Sequence, residues 1–115
     1  MTVAATMDAF RQALQEALEE HAPHADVILE EKRGVIVEGR VKLGRDAFMA
    51  VYFNALSGKA SYALIHEGRR LAGYDNYRFW HYHPPGDMSR HVACDEPTPE
   101  EAAARLIAVF NDNRS

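Results

Sequence analysis

Three of the chain's six histidines fall inside YDNYRFWHYHPPGDMSRHVACDE, the stretch from Tyr74 to Glu96. His81 and His83 lie two residues apart, so an extended backbone points both rings to one face. His91 follows Pro84, Pro85, Gly86 and Asp87, a turn sequence with Pro85 and Gly86 at its centre, which can carry it back towards the pair. Imidazoles so placed offer two chemistries. As ligands, His81, His83 and His91, completed by Cys94 or Asp95, suit zinc, whose catalytic sites need only three protein ligands. Free of metal, imidazole titrates near neutrality, so one ring can accept a proton while another gives one. Cleaving RNA needs such a pair together with cations for the charge developing on phosphate. Arg78 and Arg90 flank the histidines, Arg69 and Arg70 stand at the preceding turn, and Tyr77, Trp80 and Tyr82 could stack on bases. Packing alone accounts for the same pattern, since aromatic residues alternating along a strand commonly serve cross-strand contacts.

Positioning these groups falls to the rest of the chain. Met7, Phe10, Leu14, Ala17, Leu18 and His21 recur at helical spacing, which predicts an amphipathic helix over about residues 3–22, stopped by Pro23. Thr2 or Thr6 can cap its start. Short β-type runs follow over about residues 26–83: DVILEEK, GVIVEGRVKL, AFMAVYFNA, ASYALIHE and LAGYDNYRFWHYH. Val35, Val37, Val41 and Leu43 alternate with Ile36, Glu38, Arg40 and Lys42, giving one buried and one wet face. AFMAVYFNA is apolar almost throughout and predicts a strand covered on both faces. GRR (Gly68–Arg70) reads as a tight turn, and the short connections favour antiparallel hairpins. In the last run Asp75, Tyr77, Phe79, His81 and His83 would face one way, and Asn76, Arg78, Trp80 and Tyr82 the other. An Asp75–Asn76 turn or a bulge would change that. Thr98, Pro99 and Glu101 then form a capping box before a helix over about 98–111, with Ala103, Leu106, Ile107 and Phe110 as its apolar stripe. The expected architecture is one α+β domain: helix, antiparallel meander of about five strands, helix.

Composition narrows the function classes. With 115 residues, 47% hydrophobic and 26% charged, the chain matches a single globular domain. No apolar run approaches the roughly 18–20 residues of a membrane span, and nothing directs the chain out of the cytoplasm. Cys94 is the single cysteine, which fits a reducing compartment and excludes a multi-cysteine zinc module. It reads as a small packed side chain, because no local cation would lower its pKa. The net charge of -4 is uneven: residues 1–31 hold seven acids against Arg11 alone, and the other 84 residues carry 12 Lys and Arg against 10 Asp and Glu. A mildly basic body permits RNA binding without requiring it.

The order VEGRVKLGRDAFMAVYF, ASYALIHEGRRLAGYDN, HYHPPGDMSRHV and EPTPEEAAARLI resembles the TumE-like toxin family of prokaryotic toxin–antitoxin systems, over roughly Val35 to Ile107. Carried over position by position, the resemblance picks out Asp75, Asn76, His81, His83, Pro84 and His91. It implies a small cytoplasmic toxin paired with a cognate, DNA-binding antitoxin, acting on RNA, with a homodimer also open to it. Together with the residues themselves it favours a metal-independent ribonuclease: His81, His83, His91, Asp75 and Asn76 in catalysis, with Arg78, Arg90 and Tyr82 binding substrate. The alternatives are a zinc-type hydrolase using His81, His83 and His91, and a module that binds protein or nucleic acid without catalysis.

Overall fold

The computed structural model describes residues 1–87 and 89–113. Helix α1 (Val3–His21) leads into strands β1 (Asp26–Lys32), β2 (Ile36–Gly44), β3 (Ala47–Asn54), β4 (Ala60–His66), β5 (Arg69–Asp75), β6 (His81–His83) and β7 (Val92–Ala93), and α2 (Pro99–Asn113) follows. All seven strands form one sheet in sequence order, each antiparallel to the next. The α+β meander between two helices is as expected, but the sheet has seven strands where about five were read. The run from Leu71 to His83 is a hairpin, β5 and β6, and the two residues of β7 are too short to leave a periodic signal.

Local chemistry explains the element ends. The Thr2 hydroxyl accepts the Ala5 amide and caps α1. At α2 the box closes in both directions: the Thr98 amide donates to Glu101 Oε1 at 2.9 Å, and the Glu101 amide donates to Thr98 Oγ1 at 3.0 Å. Arg33–Gly34 and Glu67–Gly68 have positive φ at both positions, 57° and 70°, and 53° and 76°. That is the turn whose twist matches paired antiparallel strands. The second turn thus sits at Glu67–Gly68, one residue earlier than GRR suggested, and Arg69 and Arg70 belong to β5.

Both helices pack on one side of the sheet. Val37, Val41, Met49, Val51, Tyr62, Leu64, Ala72, Tyr74 and Tyr82 alternate inwards and join Phe10, Leu14, Leu18, Leu106 and Ile107 in one core. Phe10 of α1 stacks on Phe53 of β3 with ring centroids 4.5 Å apart. Strand β3 is therefore buried on its helix side only; Phe48, Ala50 and Tyr52 on the other face are half-buried. The apolar run reads as two-sided because an antiparallel sheet with one open face still keeps apolar residues there. Register places Ser61, Ala63, Gly73, Asp75, His81 and His83 on that second face, away from the helices. Among the described residues no helix is long and apolar enough to cross a membrane.

β1 crosses β2 closely at Gly39, where a Cβ would lie 1.8 Å from the carbonyl oxygen of Ile28. Gly39→Ala must push the edge strand outwards, an overpacking cost of roughly 1–3 kcal/mol. Urea unfolding should show that loss, with faster amide exchange in β1; unchanged exchange there would contradict the close crossing.

Candidate functional site

The site forms where β5, β6 and β7 meet on the helix-free face. In the β5–β6 ladder Asp75 stands opposite His81 and Gly73 opposite His83. One carboxylate serves both rings: Asp75 Oδ1 lies 3.0 Å from His81 Nε2, and Oδ2 lies 3.0 Å from His83 Nε2. The Pro85–Gly86 turn, with Gly86 at φ 89°, and a short loop bring His91 back over them. Asp87 shapes that loop by accepting the amide and hydroxyl of Ser89, at 3.1 and 2.5 Å. The His91 ring centroid is 4.8 Å from that of His81 and 4.5 Å from that of His83, which are themselves 4.8 Å apart. His81 and His83 are each only 4% exposed, whereas His91 is exposed.

Proton accounting in this cluster is constrained. His81 Nδ1 lies 3.0 Å from the Phe79 carbonyl oxygen, which can only accept, so Nδ1 carries the hydrogen. A neutral His81 would then turn the lone pair of Nε2 against an Asp75 oxygen at 3.0 Å. A proton shared between Nε2 and the carboxylate removes that clash, as does a metal cation held by Nε2 in the proton's place. Burial works to raise the Asp75 pKa, but the Tyr77 amide, the bond from His83 and the charges of His81 and His83 outweigh it and hold the carboxyl below its ordinary value.

The donor set fits a metal. His81, His83 and His91 can each offer one ring nitrogen, all within 4.8 Å of one another. Tetrahedral zinc with bonds of about 2.0–2.1 Å separates its ligand atoms by roughly 3.3 Å, so the ring nitrogens must approach one another by up to about 1.5 Å to close the set. A second group of ligand-type atoms, Glu20, His21 and Glu100, joins the helix ends, but both its carboxylates are exposed. It suits an ordinary ion-pair staple between α1 and α2.

Other sequence candidates lie elsewhere. Asn76 does not meet the histidines: its Nδ2 donates to Gly58 O at 2.7 Å and its Oδ1 accepts the Ala60 amide at 2.9 Å, tying the β5 end to the β3–β4 loop. Tyr82 faces the helices, tilted against Tyr74 with ring centroids 4.8 Å apart and the Arg105 guanidinium 4.2 Å over its ring. That corrects its place among substrate-binding residues, because a side chain buried on the opposite face of β6 cannot share a ligand with His81. Arg78 and Arg90 are exposed on the loops either side of the cluster. Cys94 is half-buried, and burial and Asp95 raise its pKa against the pull of Arg105, so the thiol stays protonated. Sequence reading underrated Arg70, whose Nη2 lies 3.4 Å from where a Gly73 Cβ would be, beside the residue paired with His83. Only the local chain path over side-chain-free Gly73 shows this. Compared with family models, with curated proteins and with solved structures, the chain matches none.

Because the folded Asp75 pKa is lowered, its contribution to stability is present above the ordinary carboxylate pKa, about 3.9, and is lost as pH falls through the lower folded value. In chelator-treated protein, Asp75→Asn should flatten the fall in unfolding midpoint between about pH 5 and pH 2. An acid limb as steep as wild type would show that Asp75 gains nothing from the imidazoles.

Proposed function

We propose that the chain is a metal-dependent hydrolase of zinc type, acting on RNA phosphodiesters, with His81, His83 and His91 holding the ion. One observation carries the choice of metal over free acid–base histidines. At 4% exposure His81 and His83 are less accessible to a phosphodiester than the exposed His91, whereas buried rings are well placed as ligands behind it. His81 is limited to Nε2 for this role by its Nδ1 contact to Phe79, the kind of outer support that fixes a ligating imidazole. Asp75 adds negative charge next to two of the three rings, which favours a cation there. Held by His81, His83 and His91, a zinc ion would supply Lewis acidity and lower the pKa of a water for attack. Arg78 and Arg90, exposed on the flanking loops, are positioned to meet substrate phosphate. The resemblance to TumE-like toxins supplies the setting: a cytoplasmic toxin whose action is restrained by a cognate, DNA-binding antitoxin.

A second reading rests on Asp75 itself. An aspartate 3.0 Å from an imidazole nitrogen is also how a general base is oriented, so metal-independent cleavage through His83 and His91 follows if the cluster binds protons alone.

Protein purified without an affinity tag should bind one zinc per chain, and cobalt in its place should give the visible absorption of a low-coordinate site. His91→Ala should lower metal affinity by roughly 10–100-fold or more with the far-ultraviolet circular dichroism unchanged. RNA cleavage should stop with chelator and return with zinc. Chelator-resistant cleavage would select the second reading, and a folded protein with no affinity for divalent metal would end the first.

A further inference from the structure

We propose that the tip of the β5–β6 loop, Tyr77–Arg78–Phe79, is a stacking platform for unpaired bases of single-stranded RNA, delivering the strand to the histidine cluster. The inference rests on the hydrolase reading for its substrate and goes beyond it in naming what recognises that substrate. Tyr77 is 65% and Phe79 56% exposed, while Tyr62, Tyr74 and Tyr82 are all buried. Folding gains little from two large rings left in water on one loop, so their exposure points to a ligand.

The loop is built to hold them there. Asp75 Oδ1 accepts the Tyr77 amide at 3.1 Å, the Asn76 side chain clamps Gly58 and Ala60, and the Phe79 carbonyl accepts His81 Nδ1 at 3.0 Å. Between these anchors Arg78 takes a left-handed backbone, φ 71°, which a non-glycine residue adopts only at a cost of order 1 kcal/mol or more. Strain kept in an exposed, anchored loop is a mark of a binding element. Its guanidinium carbon sits 5.6 Å from the Tyr77 ring centroid, so a cation and a π-face are presented together.

The platform adjoins the site. The Phe79 ring centroid is 5.4 Å from that of His81, and Arg70 reaches over Gly73 beside His83. Arg69, Arg70, Arg78 and Arg90 outnumber Asp75 and Asp87 among the charged residues from 69 to 91, which suits a phosphate backbone. Duplex bases are stacked on each other and hide their faces, so rings that stack on bases select unpaired strands.

Anisotropy of a labelled, unstructured oligoribonucleotide with the zinc-loaded full chain tests this. Tyr77→Ala and Phe79→Ala should each weaken binding roughly tenfold, Tyr77→Phe should stay near wild type, and a matched duplex should bind more weakly than the single strand. Zinc content should not change in these variants. Chelator-treated wild-type protein should lack zinc yet keep most of the oligonucleotide affinity, so failure of the metal reading stays separable from failure of the platform. Wild-type affinity in the folded Tyr77→Ala/Phe79→Ala double variant overturns the proposal, as does equal affinity for duplex. Loss of a protein partner from that variant, with no RNA affinity in wild type, would make the loop a protein-docking element instead.

Discussion

Asp75 is the last residue of β5, and the ladder sets it opposite His81 with His83 one pair along. Its two oxygens each meet an imidazole nitrogen at 3.0 Å, and one of them also accepts the Tyr77 amide that starts the loop to β6. One carboxylate therefore fixes three things at once: where β5 stops, how the chain turns, and how two buried rings are oriented. Buried imidazoles with hydrogen-bonding capacity left over would be costly, and the Asp75 carboxylate and the Phe79 carbonyl answer that demand. The same concentration of donors and charge makes the spot suited to a cation or to held protons. A core of apolar side chains there would pack more simply and do neither.

The site can exist only because the sheet is one-sided. Two helices cover the inner face and take up Tyr74, Tyr82 and Arg105, whose Nη1 donates to the Tyr74 hydroxyl at 3.2 Å. Burial and the Tyr74 charge push the Tyr82 hydroxyl up against the opposing pull of Arg105, as expected for a packed phenol. The outer face is left free for polar work at its β5–β7 end. Since strand residues alternate, the arrangement that buries Tyr82 against α2 necessarily sends His81 and His83 to the outer side.

Much of this was legible in the residues, for identifiable reasons. Capping chemistry is local, so Thr98 and Glu101 announced α2, and Pro23 announced the end of α1. Arg33–Gly34 lay visibly between two β-type runs because a glycine marks the turn. The β5–β6 turn stood only as an alternative to a continuous strand because no glycine or proline marks it; the Asp75 side chain and a left-handed arginine make it. Asn76 entered the expected site through the resemblance, yet its amide holds the β3–β4 loop. Cys94 looked inert and has the raised thiol pKa of an inert residue.

The sequence by itself determined the two helices, the antiparallel meander and the common face of His81 and His83, because periodicity, caps and pleat parity act over a few residues. Tertiary structure decided the rest: which face of the sheet the helices take, that Tyr82 is buried while Tyr77 and Phe79 are not, and that His91 closes on the pair. These depend on residues far apart in the chain competing to bury area on one side of a shared sheet, and no local pattern records who wins. YDNYRFWHYHPPGDMSRHVACDE names the groups that meet; only the β5–β6–β7 register puts one carboxylate between two rings with a third above them.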